Sequence, residues 1–139
     1  MGPSRGTVTR GLTVDVLSPG DGTQRVTMTL RYDIADPFAV QSLFRNPPDD
    51  DIPWVFARDL LVLGLDGPVG EGDVRIWPCR RRGGDAVRLA LTSPDGAALL
   101  EVPAGDLHDF LGLTFRLCPW GHESEPLDLD GMLEDLLRT

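Results

Sequence analysis

Lysine is missing from this 139-residue chain: all 13 basic side chains are arginine, set against 22 aspartates and glutamates, for a formal charge of −9. Nonspecific nucleic-acid affinity comes from Lys and Arg neutralising phosphates, so this balance argues against a general phosphate binder. An anionic membrane surface is disfavoured for the same reason. Long apolar runs are missing too. The longest, Leu60 to Leu65, already contains Gly64 and falls far short of the roughly 20 residues that span a bilayer. Met1 to Arg10 lacks the apolar central segment of a secretory signal, which leads us to expect a cytoplasmic protein with no direct membrane insertion. Cysteine is scarce. Cys79 and Cys118 are the only two, and in a reducing compartment such a distant pair reads as free thiols rather than a disulfide.

What is present suits one globular domain over residues 1–139. The AVILMFWYC set makes up 41% of the chain, enough to bury a core. The 16 Gly and 12 Pro are spread along the sequence, which indicates many turns and short strands rather than disorder. Period-two alternation predicts strands at Thr7 to Val16 and at Val26 to Tyr32, joined as an antiparallel hairpin through Ser18-Pro19-Gly20-Asp21-Gly22. A third strand is expected over Phe38 to Phe44, and Pro47 to Pro53 reads as a solvated loop. Ile52 to Ala57 is a short apolar segment, and Arg58 to Leu65 a short helix ended by Gly64 or Gly67. Asp73 to Cys79, Val87 to Leu91 and Ala97 to Val102 are further strands, with turns on Gly83-Gly84 and Ser93-Pro94-Asp95-Gly96. Pro103 opens a helix whose Leu107, Phe110, Leu111 and Thr114 recur at three and four, with Pro119 as its stop. Asp128 to Thr139 carries Leu129, Met132, Leu133, Leu136 and Leu137 on one side and acids on the other, the pattern of an amphipathic helix. Six or seven short antiparallel strands with helices late in the chain make an α+β domain.

Chemistry-bearing motifs are few. There is no Gly-x-Ser-x-Gly elbow, and both histidines sit near the end, so no catalysis is expected. Cys79, His108, Cys118 and His122 lack the paired short spacings of structural zinc, and Gly67, Gly70 and Gly72 have no Lys-Ser/Thr after them to make a phosphate loop; no metal or cofactor is expected. Arg75, Arg80, Arg81, Arg82 and Arg88 flank Trp77, a combination that binds single-stranded nucleic acid by stacking plus charge. The competing reading is that arginines at a hairpin tip keep a sheet edge soluble. Arg58 and Asp59, at a helix start, are placed to pair with Asp33, Asp73 or Arg75, and for such charges an internal salt bridge is the commoner outcome. Trp54 and Phe56 share a strand face and should anchor the core. Most of the acidity sits in residues 121 to 139, where Glu123, Glu125, Asp128, Asp130, Glu134 and Asp135 face one Arg138.

Four ordered blocks, Arg31 to Val40, Trp54 to Leu61, Gly70 to Pro78 and Ser93 to Ala104, resemble the SsgA-like family of sporulation and cell-division regulators of filamentous actinobacteria, most of all its SsgB branch. The match spans about residues 30–111, and Asp128-Leu129-Asp130 is a weaker echo. The resemblance implies a Whirly-like fold, an antiparallel barrel-like sheet with helices. It implies a non-enzymatic protein that helps recruit the tubulin-like division protein FtsZ to septa and promotes its assembly, acting with other family members, as a homotrimer. The rival expectation, from the same fold likeness, is a single-stranded nucleic-acid binder. Candidate partner or oligomer residues are Arg58, Asp59, Arg75, Trp77, Arg80, Arg81, Arg82 and Trp120. Tyr32, Asp36, Pro37, Trp54, Phe56, Pro78 and Gly96 match the blocks as structural residues.

Overall fold

Two twelve-residue strands set the frame, β1 (Thr7–Ser18) and β2 (Gly22–Asp33). They pair from Thr7 opposite Asp33 to Ser18 opposite Gly22, and their alternation puts Leu12, Val14, Val26, Met28, Leu30 and Tyr32 on one buried face. The computed structural model describes residues 6–18, 22–45, 52–81, 83–94 and 96–124. The expected loop from Pro47 and the acidic helix of Asp128 to Thr139 fall largely or wholly outside these residues.

β3 (Ala39–Arg45) returns along β2, and β4 (Ile52–Ala57) along β3. The short apolar segment of the sequence reading is therefore an edge strand. Phe38, expected inside β3, precedes it and is exposed, because the turn that starts at Asp33 ends only there. α1 (Arg58–Asp66) follows directly, with Asp59 in its first turn. Then come β5 (Val69–Glu71), β6 (Val74–Arg81), β7 (Gly84–Ser93), β8 (Gly96–Pro103) and α2 (Ala104–Leu117). β5 occupies the glycine-spaced stretch between α1 and β6, so the described sheet has eight strands rather than the six or seven expected, in the order β4-β3-β2-β1-β8-β7-β6-β5. Every pairing is antiparallel.

The sheet curls into a half-barrel. α2 lies against β1, β7 and β8 and seats Leu107, Phe110, Leu111 and Thr114 in the core, the stripe its spacing predicts. Asp106 in its first turn and Arg116 in its last suit the helix dipole. α1 touches β4 at one edge and β5 and β6 at the other, so it fills the gap between the two ends of the sheet. A Cβ on Gly64 would stand 2.3 Å from Cγ2 of Ile76. Gly64 is thus a close-approach residue inside the helix and not its terminator; α1 runs on to Asp66 with Gly67 as its C-cap. Burying each large apolar side chain of this inner face contributes roughly 1.5–3 kcal/mol.

Candidate functional site

The register of the outer face brings distant charges into line. Trp77 pairs with Arg88, Arg88 with Glu101, Glu101 with Asp15, and Asp15 with Arg25, one row across β6, β7, β8, β1 and β2. Two carboxylates standing opposite one another repel, and arginines offset this from three sides. Arg81 Nη1 donates to Asp15 Oδ2 at 3.0 Å and lies 3.7 Å from Glu101 Oε1, Arg88 Nε lies 3.4 Å from Glu101 Oε2, and Arg25 Nε 3.6 Å from Asp15 Oδ1. Cys79 is a free thiol beside this network. Burial and the Glu101 carboxylate push its ionisation up, and Arg88 and Arg81 oppose the rise. The next row holds Ala90, Leu99 and Leu17. With Trp77 it lines an open trough of about 640 Å³, and Trp77 and Ala90 also line a second hollow of about 840 Å³ beside Pro68, Gly70 and Arg75.

This arrangement bears directly on the arginine cluster. Arg81 and Arg88 face carboxylates, so they are not free for phosphate. Arg80 lies 3.7 Å from Asp85, both side chains largely in solvent, a pair worth little. Arg75 is exposed and Trp77 half-buried; Arg82 lies outside the described residues. Asp15, Glu101, Leu17 and Leu99 were not singled out by the sequence reading. Glu101 alone carried a signal, a charge between Leu100 and Val102 in a buried strand.

Arg58 belongs elsewhere. Its side chain is fully buried, so it cannot meet a partner on the surface of this fold, and its neighbours are not Asp33, Asp73 or Arg75. Nη1 donates to the carbonyls of Cys118 at 2.8 Å and Thr114 at 3.3 Å, which caps the C-terminus of α2 with a cation. Its Cζ sits 4.9 Å from the Tyr32 ring centre and 4.3 Å from that of Phe115. Nη2 is 3.3 Å from Glu123 Oε2, an ion pair without hydrogen-bond alignment. Glu123's own backbone N–H and the Arg58 guanidinium hold its carboxyl below the usual range, against the opposing effect of burial. Burial raises Tyr32 far above an ordinary phenol, although Arg58 works the other way. Asp59 is half-buried beside this cluster, and Trp120 stands exposed with its ring 5.8 Å from Phe115.

The block-matched residues have local duties. The Tyr32 hydroxyl donates to the Pro37 carbonyl at 3.0 Å, and Asp36 holds the turn by donating its N–H to Asp33 O and accepting from Ala39 N. Phe56 is fully buried and Trp54 packs partly against the core. Pro78 sits just past the last β6 residue that β5 pairs, Ile76, where a missing N–H keeps a bare edge from recruiting strands. Gly96 opens β8 at φ +152°, a conformation closed to other residues without strain. Among the described residues no three His, Cys, Asp or Glu side chains come together as a metal site would require.

Comparison with known proteins completes the picture. The family model described as Streptomyces sporulation and cell division protein, SsgA, matches residues 26–123. The sporulation-specific cell division protein SsgB of Streptomyces coelicolor is 50% identical over 108 residues, 78% of this chain and 79% of that protein. The SsgB of Frankia casuarinae is 41% identical over 130 residues, 94% of this chain and 91% of its own length. The solved structure of an SsgA-like sporulation-specific cell division protein from Thermobifida fusca superposes with a TM-score of 0.83 at 33% identity, covering 98% of this chain and 99% of that one. A curled antiparallel sheet with two helices among the described residues thus has relatives of known class along nearly its whole length, and the chain belongs to the SsgA-like family of sporulation and cell-division proteins.

Proposed function

We propose that this protein is a non-enzymatic division factor that recruits FtsZ to sporulation septa and promotes its assembly, working in the cytoplasm as a homotrimer and together with other SsgA-like proteins. The observation that carries this reading is family membership across residues 26–123 with relatives named for sporulation-specific cell division. The fold supports a protein that acts by contact. Its inner face is filled by Tyr32, Phe56, Arg58 and Phe110, while the described hollows beside Trp77 open outward. Asp59, Arg75, Trp77, Arg80, Arg82 and Trp120 are the residues we assign to partner or subunit contacts. Purified protein should co-sediment with FtsZ polymers and raise the polymerised fraction, and a deletion strain should fail to septate its spore chains. Absence of both effects removes the reading. Light scattering at the mass of a single 15.2 kDa chain would remove the trimer.

The single-strand nucleic-acid reading finds support in exposed Arg75 and Arg80 beside Trp77, and loses it in the carboxylates that face Arg81 and Arg88. An oligonucleotide shift at low salt, abolished by Trp77→Ala, would revive it.

A further inference from the structure

Five large apolar side chains stay exposed among the described residues: Phe38, Leu43, Val55, Leu63 and Trp120. Two of them, Phe38 and Trp120, are each one contact away from the buried Arg58. Arg58 N donates to Phe38 O at 2.8 Å, and the Trp120 ring lies against Phe115, whose own ring packs on the Arg58 guanidinium. Tyr32 packs on that guanidinium as well, and Nη1 is used by the Thr114 and Cys118 carbonyls at the end of α2. What remains is the edge formed by Nε and Nη2, the parallel donors with which arginine grips a carboxylate. Among the described residues neither finds a hydrogen-bond acceptor. Glu123 answers the charge, with Oε2 3.3 Å from Nη2, but makes no hydrogen bond along this edge.

Glu123 is also lightly held. α2 ends at Leu117, and His122 N returns to Pro119 O at 3.0 Å in a turn whose third residue, Gly121, has φ +88°. Glycine crosses between backbone regions at little cost, so rotation near Gly121 carries Glu123 off Arg58 and leaves the two rings and the α2 carbonyls in place. The edge so uncovered suits one carboxylate. Asp36, two residues before Phe38, and Asp59, next to Arg58, disfavour a run of acids by like-charge repulsion. Phe38 and Trp120 favour apolar side chains beside the single acid.

We propose that Arg58 and the Trp120 turn form a carboxylate-binding site for a partner peptide, with Glu123 as its built-in competitor. An Asp or Glu of the peptide, flanked by apolar residues, displaces Glu123 and grips Nε and Nη2 side-on. This goes beyond the division reading and holds whichever protein supplies the peptide. The probe is acetyl-Ala-Phe-Glu-Phe-Ala-amide, with its Gln counterpart as control, titrated into the full chain. The Nε–H signal of Arg58, the one buried arginine among the described residues, should shift with the Glu peptide and not with the Gln peptide. Glu123→Gln removes the competing charge and should bind the Glu peptide roughly tenfold tighter than wild type, its lowered Tm recovering as peptide is added. Trp120→Ala should weaken binding in both backgrounds. The proposal is overturned if the two peptides bind alike, if Glu123→Gln gains no affinity, or if signals around Trp77 move while that of Arg58 does not. Loss of fold in Glu123→Gln leaves the wild-type titration, in which an unmoved Arg58 signal overturns the proposal. A wild-type Arg58 signal that changes with protein concentration also overturns it, since the displacing carboxylate would then belong to a second copy of the chain.

Discussion

A guanidinium with no exposed surface is tolerated only when its donors and its flat faces both find partners. Arg58 has the carbonyls of Thr114 and Cys118, the Glu123 carboxylate, and the rings of Tyr32 and Phe115. A lysine offers a single point charge in place of the planar fork, so Arg58→Lys should cost about 3 kcal/mol in urea unfolding, as breaking a buried charge cluster does. Glu123 is depressed in the fold, so its contribution is present above the ordinary carboxylate range and is lost as pH falls through the folded value. Glu123→Gln should therefore lower Tm at pH 7, and the gap should close toward pH 3. Tyr32 is the chain's one tyrosine, so absorbance at 295 nm reports on it alone. Its neutral form is favoured by burial, hence stability should hold below about pH 10 and fall above it, with phenolate appearing only as the protein unfolds. Tyr32→Phe should lose about 1 kcal/mol with the Pro37 bond and blunt the alkaline fall. An internal ion pair is the outcome the sequence favours for Arg58, and Arg58 makes one, but its partners were not legible: Thr114, Cys118 and Glu123 lie more than 50 positions later.

At the scale of elements the sequence was a better guide. The β1–β2 hairpin, β7 and the buried stripe of α2 all followed from period, because in each one regular set of positions meets the core; β8, with Leu100, Glu101 and Val102 buried in succession, shows instead as a short apolar segment after a turn. β5 escaped because three residues between glycines carry no period. The choice between Gly64 and Gly67 as the end of α1 stayed open because a glycine inside a helix and a glycine ending one look alike until the neighbour is known, and the neighbour of Gly64 is Ile76 on another strand. Gly64→Ala sets two effects against each other. Alanine gains about 1 kcal/mol of helix propensity, but a Cβ 2.3 Å from Ile76 Cγ2 forces α1 off β6 at a cost of roughly 1–3 kcal/mol. Net destabilisation in chemical unfolding is expected, and I76A, which removes that Cγ2, should cost less in this background than in the wild type.

Among the described residues the sheet is two four-stranded meanders joined along a narrow seam. β1 and β8 pair at Asp15, Val16 and Leu17 only. The outer-face ions span this seam, since Arg81 of β6 reaches Asp15 of β1. Glu101→Gln should weaken the join by about 1–2 kcal/mol, less at high salt because Arg81 and Arg88 are partly solvated. Amides of residues 14–17 and 99–102 should then exchange faster than those of the β1–β2 hairpin. A lysine-free, acidic composition counts against phosphate partners, and the ion row adds a local reason for two arginines of the cluster: Arg81 and Arg88 are matched in place by Asp15 and Glu101.

The wedging of α1 between the two sheet edges has a genetic consequence. With the concave side filled by side chains from α1 and α2, inward substitutions such as those at Ile76 or Leu107 should show themselves as lost protein in the cell. Changes at Arg75, Trp77 or Val55 should leave abundance intact. A deep mutational scan scored separately for protein level and for septation should divide along the two faces of one sheet.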